Sequence, residues 1–520
     1  MSRENWTSSL GFILASAGSA IGLGNVWKFP YVAGQHGGGT FVLVYVLCVA
    51  LVGLPVMCAE MLIGRAARRN VINAMGKAER LSARPGVRYA LAALFGGLAV
   101  AFAQADAWLL AALALVGTWA VGRFGFSAVG WICAGLAMAI LSYYAVVGGW
   151  LVEYLWRALS GTLTAPLSAP EPGVPEVVQV AKASQTAFGA YLTSPWRVLA
   201  GFLVFMALTG AVIWGGIQKG IERVSRVLMP ALFILMLAVI VRSVTLPGAW
   251  EGVVFLFRPT RAALEPQVVL MALGQAFFSL SLGMAITVTY GSYLKREQNI
   301  FKAAGFVGLL DTLAALLAGL AIFPAVFAVR LEPSSGPGLV FGALPATFSA
   351  MWLGRFWAVC FFVMLLIAAV TSSASLLECG ATIFIERLRR GHRRCSRSVA
   401  VLIGFALCSL MGTLSVVSTA DWSNLPGVRR VSECCLGSLA GASWFDMLDN
   451  LCSNWGLPLT ALSITLLIGW GWSPRRALPA LCGGKEPPRW VLWLWVALVR
   501  WIAPAAIVLV FFNASGLMES

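Results

Sequence analysis

Four places in this chain set oxygen-bearing groups among residues that are otherwise apolar. The run GSAIGLGNVWKFP, from Gly18 to Pro30, is crowded with glycine and carries one uncharged amide, Asn25. AFFSLSLGMAITVTYGSY contains Ser279, Ser281 and Gly283; Asp311 is a carboxylate in mid-run; Thr371, Ser372 and Ser373 are consecutive hydroxyls. A helix interrupted inside a bilayer frees backbone carbonyls, which survive at that depth only where they line a cavity or hold a ligand. Carbonyl, amide, hydroxyl and carboxylate oxygens are what a hard cation needs to replace its hydration shell. A carboxylate at that depth calls for a bound cation, the alternative being a protonated, structural Asp311. Taken alone, the Thr371 to Ser373 string also fits small-residue helix packing with hydroxyls bonded back to the preceding turn.

Bond-making chemistry has no visible machinery here. No nucleophile stands with a base and no catalytic carboxylate pair or metal-ligand set is evident, which argues against an enzyme. His36 and His392 are far apart, there is no CxxC, and Cys48, Cys58, Cys133, Cys360 and Cys408 fall in apolar runs as small buried hydrophobes.

Membrane helices must therefore hold these groups. Of 520 residues, 59% are apolar and 11% charged, and apolar runs of spanning length recur throughout. Reading those runs against their punctuation predicts eleven spans, at 8–30, 39–63, 127–158, 197–215, 227–246, 267–293, 301–329, 352–385, 398–418, 446–472 and 490–512. The interrupted spans are the first and the sixth. Two broken helices five spans apart predict two inverted five-span repeats, residues 1–246 and 247–472, followed by a last span in 473–520. Within 88–123, two shorter runs at about 89–103 and 107–122 predict an inserted helical hairpin with both ends on one side, each arm ~24 Å long against a ~30 Å hydrocarbon core.

The net charge of +16 sits in alternate connections. Arg65, Arg68, Arg69, Lys77, Arg80 and Arg84 follow the second span; Lys219, Arg223 and Arg226 the fourth; Lys295, Arg296 and Lys302 the sixth; and a cluster from Arg387 to Arg397 the eighth. Lys182 is alone between Gly161 and Pro195. The basic residues thus orient the chain, with a cytoplasmic N-terminus, and do not point to nucleic acid.

The segments GSAIGLGNVWKFPY, GGGTFVLVY, GLPVMCAEMLIGR, SYYAVVGGW, GIERVSRVLMP, FFSLSLGM, LAGLAIFP and AAVTSS, in this order, resemble the bacterial amino-acid branch of the neurotransmitter:sodium symporter family, the leucine-transporter-like members. The resemblance covers all eleven spans and leaves out only the 88–123 insertion. It implies an all-α, polytopic 5+5 inverted-repeat fold in a bacterial inner membrane, and a carrier that binds an amino acid and two sodium ions between spans 1 and 6. By this resemblance Ala20, Asn25, Ser279 and Asp311 form a first sodium site, completed by the substrate carboxylate. Gly18, Ile21, Ala368, Thr371 and Ser372 form a second. Tyr45, Gln275 and Ser279 match the anion pocket of chloride-using members, but Ala315 replaces its serine, so the charge of Asp311 is expected to stand in for chloride. Protonation of Asp311 after sodium leaves would permit proton counter-transport.

Substrate and gates follow from the same resemblance. Gly22 stands where amine carriers have an aspartate, leaving room for a substrate carboxylate beside Ala20, and Tyr144 matches the tyrosine that bonds it. Phe278 matches an aromatic lid. Ile140, Val147, Ser281, Met284, Ser372 and Leu376 complete the pocket, which suits a neutral, hydrophobic L-amino acid, although Ala285 replaces a glycine and adds a methyl near it. Lys28 with Asp449 and Arg3 with Glu386 are candidate outer and inner gates, Trp6 and Tyr293 packing at the inner one, while Glu60 resembles the carboxylate that satisfies the span 6 break. A sensor that binds in this pocket without transporting is the competing expectation.

Overall fold

A bilayer satisfies no backbone group, so a chain this apolar must place its hydrogen bonds inside helices. The computed structural model describes residues 5–82, 84, 86–104, 108–164, 175–260, 265–330, 338–390, 397–419, 443–485 and 488–514, and these are helical throughout with no strand among them. In chain order the membrane elements are α1 (Ser9–Ala20), α2 (Gly24–Gln35), α3 (Gly39–Ala67), α4 (Gly86–Gln104), α5 (Trp108–Phe124), α6 (Phe126–Ser160), α7 (Pro195–Trp214) and α8 (Ile217–Val244). They continue as α9 (Pro266–Ser279), α10 (Ile286–Gly291), α11 (Ile300–Ala328), α12 (Gly354–Glu386), α13 (Arg397–Thr419), α14 (Trp444–Gly471) and α15 (Trp490–Phe511). Taking α1 with α2 and α9 with α10 as broken spans, and setting aside the α4–α5 hairpin, gives the eleven expected among the described residues.

The breaks are narrower than the sequence suggests. α1 ends where Ile21 turns extended (φ −72°, ψ 96°), and the chain is helical again by Gly24, with α2 bent from α1 by 51°. Pro30 is not part of the break. It sits inside α2 behind a π-helical turn, Gly24–Lys28, which shifts the hydrogen-bond register ahead of its missing N–H. Between α9 and α10, Ser281 (φ 53°), Gly283 (φ 77°) and Ala285 (φ 66°) all take left-handed backbone, which ends one helix and redirects the next.

α6 packs along α12, α7 and α13, and α1 lies against α8, α11 and α12. Small residues allow the closest crossings. At Gly149 a β-carbon would stand 2.5 Å from the Phe202 nitrogen, so α6 and α7 touch backbone to backbone.

The insertion is a helical hairpin, longer than the apolar runs alone indicate. At 1.5 Å per residue, Gly86–Gln104 and Trp108–Phe124 reach ~28 and ~25 Å, because Arg88 and the residues around it extend the helices past the apolar stretch. Arg88 donates to the Val121 and Gly122 carbonyls, closing the open end. Both ends lie beside the short helix Val71–Arg80: Ser82 Oγ donates to the Gly471 carbonyl at 2.9 Å, and the Phe126 N–H to Glu79 Oε2 at 3.0 Å. Ala99, Ala111 and Ala114 seat the hairpin on Trp455 of α14.

Candidate binding site between the broken helices

The first break can be followed bond by bond. The Gly22 N–H donates to Asn25 Oδ1 (3.2 Å) and the Leu23 N–H to the Tyr144 hydroxyl (3.2 Å), so the carbonyls of Gly18 and Ser19 lose their helical donors. The Asn25 N–H turns back to the Gly22 carbonyl (3.2 Å), which frees Ile21 in the same way. Ser19 finds new donors in the hydroxyls of Ser281 (3.2 Å) and Ser372 (3.1 Å). Gly18 and Ile21, both nominated as cation ligands, keep their carbonyl lone pairs available, and Ala20 ends α1 between them.

Gly22 sits in a cradle. A β-carbon there would stand 3.0 Å from Ser372 Oγ and 3.1 Å from the Tyr144 hydroxyl, so the absence of a side chain leaves a small space edged by two hydroxyls and the end of α1. Gly24 lies under the Phe278 ring, 2.9 Å from a would-be β-carbon. By the same measure Gly18 faces Met229 of α8, 3.2 Å from its Sδ, and Thr371 of α12, 3.4 Å from its Cβ, which brings α1 and α12 together at the second nominated ion site. There the Thr371 hydroxyl bonds back to Ile367 (3.0 Å) and Ala368 (3.2 Å) and Ser372 bonds to Ser19, so both hydroxyls have protein acceptors and retain oxygen lone pairs.

Asp311 anchors the other cluster. Its Oδ1 accepts from Asn25 Nδ2 (2.8 Å), and its Oδ2 from Ser279 Oγ (2.8 Å) and the Tyr45 hydroxyl (3.1 Å); Asn25 Nδ2 also reaches Ser279 Oγ (2.9 Å). Asn25, Tyr45, Ser279 and Asp311 are all buried, and no basic side chain pairs with Asp311 among the described residues. Gln275 Nε2 is drawn to the Gly24 carbonyl (2.7 Å). Holding a cation here requires Asn25 to turn its amide oxygen toward Asp311, a half-turn of its last torsion.

The second break is closed by protein. Glu60 of α3 accepts the Gly283 N–H at 2.8 Å and the Thr287 hydroxyl, and Thr460 of α14 donates to the Gly283 carbonyl at 3.0 Å. The Ser281 hydroxyl donates to the Ser19 carbonyl and, like that of Ser372, retains its oxygen lone pairs.

A cavity of about 250 Å³ opens above the site, on the face away from Trp6. Tyr144, Val147 and Phe278 form its floor, Trp27, Tyr31, Trp150 and Phe445 its walls, and Lys28, Asp446 and Asp449 its rim. Ile140, Met284 and Leu376, nominated for the side-chain pocket, are buried beyond this lining because the cavity stops at Tyr144 and Phe278. Nor do Lys28 and Asp449 form the ion pair the sequence suggests. The Lys28 ammonium instead lies 4.7 Å from the centre of the Phe278 ring, its charge facing the π cloud while the cavity holds the two walls apart.

The opposite face is shut. Trp6 packs edge-on against Phe12, Tyr290 and Tyr293 and donates to the Tyr290 carbonyl at 3.2 Å. Arg3 lies outside the described residues; Glu386 accepts from the Asn70 N–H (3.1 Å) and Asn73 Nδ2 (2.7 Å). Sequence reading missed the fully buried Glu378, which accepts from Arg397 and, at 3.0 Å, from the Tyr293 hydroxyl. A carboxylate inside the apolar run of the eighth span was the available signal. Ser19 was missed as well, since its part is played by a backbone carbonyl.

Comparison with known proteins bears on the family and the fold. The profile of the Sodium:neurotransmitter symporter family matches residues 3–82 and 192–425. An uncharacterised sodium-dependent transporter of Bacillus subtilis, YhdH, is 36% identical, with 99% of this chain and 98% of the relative covered. An uncharacterised sodium-dependent transporter of Haemophilus influenzae is 31% identical over 98% of each. The crystal structure of MhsT in complex with L-phenylalanine superposes with a TM-score of 0.77 at 35% identity, covering 99% of this chain and all of that one.

Proposed function

Because the chain belongs to the sodium:neurotransmitter symporter family and is therefore a sodium-dependent membrane transporter, we propose that it imports a neutral, hydrophobic L-amino acid with two sodium ions, by alternating access and without chloride. The observation that carries this reading is the Gly22 cradle. It sets a residue without a side chain, edged by the Ser372 and Tyr144 hydroxyls at the break after α1, between an oxygen cluster on one side and an aromatic-floored cavity on the other. The substrate carboxylate would lie at Gly22 against Tyr144 and complete the ligands of a first sodium held by Ala20, Asn25, Ser279 and Asp311. Its side chain would enter between Val147 and Phe278 and, as the floor closes, reach Ile140, Met284 and Leu376. The phenylalanine bound to MhsT supports the choice of a hydrophobic amino acid.

A second sodium on the Gly18 and Ile21 carbonyls and on Ala368, Thr371 and Ser372 would tie α1 to α12. Bound sodium then favours the form in which Trp6 closes the basic face and the cavity stays open opposite, while its loss releases α1. Spans formed by α1–α3 and α9–α11 would rock against α6, α7, α12 and α13. The basic connections support a cytoplasmic N-terminus in a bacterial plasma membrane, so the basic face is the inner one.

The test is a panel of radiolabelled neutral amino acids offered to proteoliposomes with an inward sodium gradient or with potassium. Accumulation of a hydrophobic amino acid in sodium alone, unchanged when chloride is replaced by gluconate, is expected. Sodium-dependent binding without accumulation would instead mark a sensor, and binding indifferent to sodium would remove the roles given to Asn25, Ser279 and Asp311.

A further inference from the structure

Three side chains of α8 hold the segment that leads into α1. Gln218, Glu222 and Arg226 recur at every fourth residue and so share one face of the helix. Gln218 Nε2 donates to the Asn5 carbonyl at 2.8 Å. The Glu222 carboxylate, 1% exposed, accepts the Thr7 N–H on Oε2 at 2.9 Å and the Thr7 hydroxyl on Oε1, and Arg226 donates to that same Oε1 at 2.9 Å. Thr7 precedes Ser8, the N-cap of α1, whose hydroxyl oxygen accepts the Gly11 N–H. A negative charge therefore faces the positive end of α1, where helical N–H groups lack internal partners. Gly11 makes the fit possible, because a β-carbon there would overlap the Glu222 carboxylate.

We propose that Glu222 is a positioning residue for transport: it clamps the first turn of α1 to α8 and so sets the balance between the closed and open forms of the basic face. The proposal rests on the alternating-access reading above. α1 carries Gly18 and Ala20 at its far end, so a swing of this helix that exposes the site from below has to break the Thr7 contacts first. In the closed form Glu222 accepts from both Thr7 and Arg226, which also bond each other at 3.3 Å, and a swing of α1 takes Thr7 away from this carboxylate. Removing the carboxylate charge therefore weakens the closed form more than the open one.

Amide hydrogen exchange of the full-length chain in lipid nanodiscs, in sodium and in potassium, tests this on the peptide covering residues 5–20. In the unaltered protein that peptide should exchange more slowly in sodium. Glu222→Gln should raise its exchange in sodium by roughly ten-fold, the equivalent of about 1.4 kcal/mol for one hydrogen bond to a charged group, and bring it toward the potassium value. Thr7→Val, which keeps the N–H and removes one of the bonds, should give a smaller rise and decides the matter if Glu222→Gln does not fold. Peptides of α6 and α13 should not change. Glu222→Gln with the exchange of the unaltered protein overturns the clamp, as does a rise that is equal in potassium or shared by α6 and α13. If the unaltered protein exchanges alike in both salts, the motion assigned to α1 fails, a result distinct from failure of the clamp.

Discussion

Asp311→Asn removes one unit of charge and leaves an oxygen ligand almost in place. In the structure the carboxylate accepts on both oxygens, from Asn25 at 2.8 Å and from Ser279 and Tyr45 at 2.8 and 3.1 Å. An asparagine can turn its oxygen to only one of these sets. A unit charge about 4 Å from a cation contributes about 4 kcal/mol at an effective dielectric constant of about 20. The retained amide oxygen recovers part of this, so the expected net loss is about 2–3 kcal/mol, at the lower end of the range for truncating one partner of a buried charge pair. The sodium concentration for half-maximal binding of the labelled amino acid should rise roughly 30- to 150-fold. The assay is equilibrium binding titrated with sodium at constant ionic strength, once in chloride and once in gluconate. The unaltered protein should give one curve in both anions. The variant should bind better in chloride, because the hydroxyls of Tyr45 and Ser279 would then lack a negative partner. A variant with unaltered sodium dependence, or an unaltered protein that fails in gluconate, refutes the reasoning.

Gly22→Ala should lower amino-acid binding by about ten-fold or more, since its methyl takes the space between Ser372 and Tyr144, while thermal stability in detergent stays within about 1 kcal/mol. Ala285→Gly should stabilise the protein by about 0.5–1 kcal/mol, measured by thermal unfolding, because relief of left-handed alanine outweighs the added freedom of glycine in the unfolded chain. Arg397→Met takes from the buried Glu378 a cationic partner and should destabilise by about 3–5 kcal/mol, with Glu378→Gln/Arg397→Met costing less than the sum of the single changes in a double-mutant cycle.

All eleven spans were legible in the sequence, because a bilayer demands long apolar runs and glycine, proline and charge mark their ends. The broken helices were legible for a similar reason: Asn25 and the glycines around it, and Ser279 to Gly283, make poor continuous membrane helix. The width of the first break was not, since Pro30 looks like a breaker and only the π-helical turn ahead of it shows how α2 accommodates it. Hairpin length was underestimated because Arg88 reads as a loop residue, although it caps the opposite arm. Glu222 reads as an ordinary loop charge between Lys219 and Arg223, and nothing local in the sequence ties it to Thr7, 215 positions away. Arg397 likewise counts toward membrane orientation when read alone, yet its side chain turns inward to Glu378.

Glu60 and Thr460 have a thermodynamic consequence for the whole transport cycle. The Gly283 N–H and carbonyl are satisfied by side chains of α3 and α14, so this residue of the unwound stretch between α9 and α10 meets its hydrogen-bonding needs without a passenger. The bonds from Glu60 and Thr460 do not depend on cargo, so the Gly283 peptide groups themselves add nothing to a coupling between ion and amino acid. At the first break the carbonyls of Gly18 and Ile21 have lost their helical donors, so their solvation would change on binding the proposed sodium. The two interruptions look alike in sequence, yet Gly283 in the second is closed by the protein's own side chains, whereas Gly18 and Ile21 in the first keep carbonyl lone pairs for the sodium proposed there.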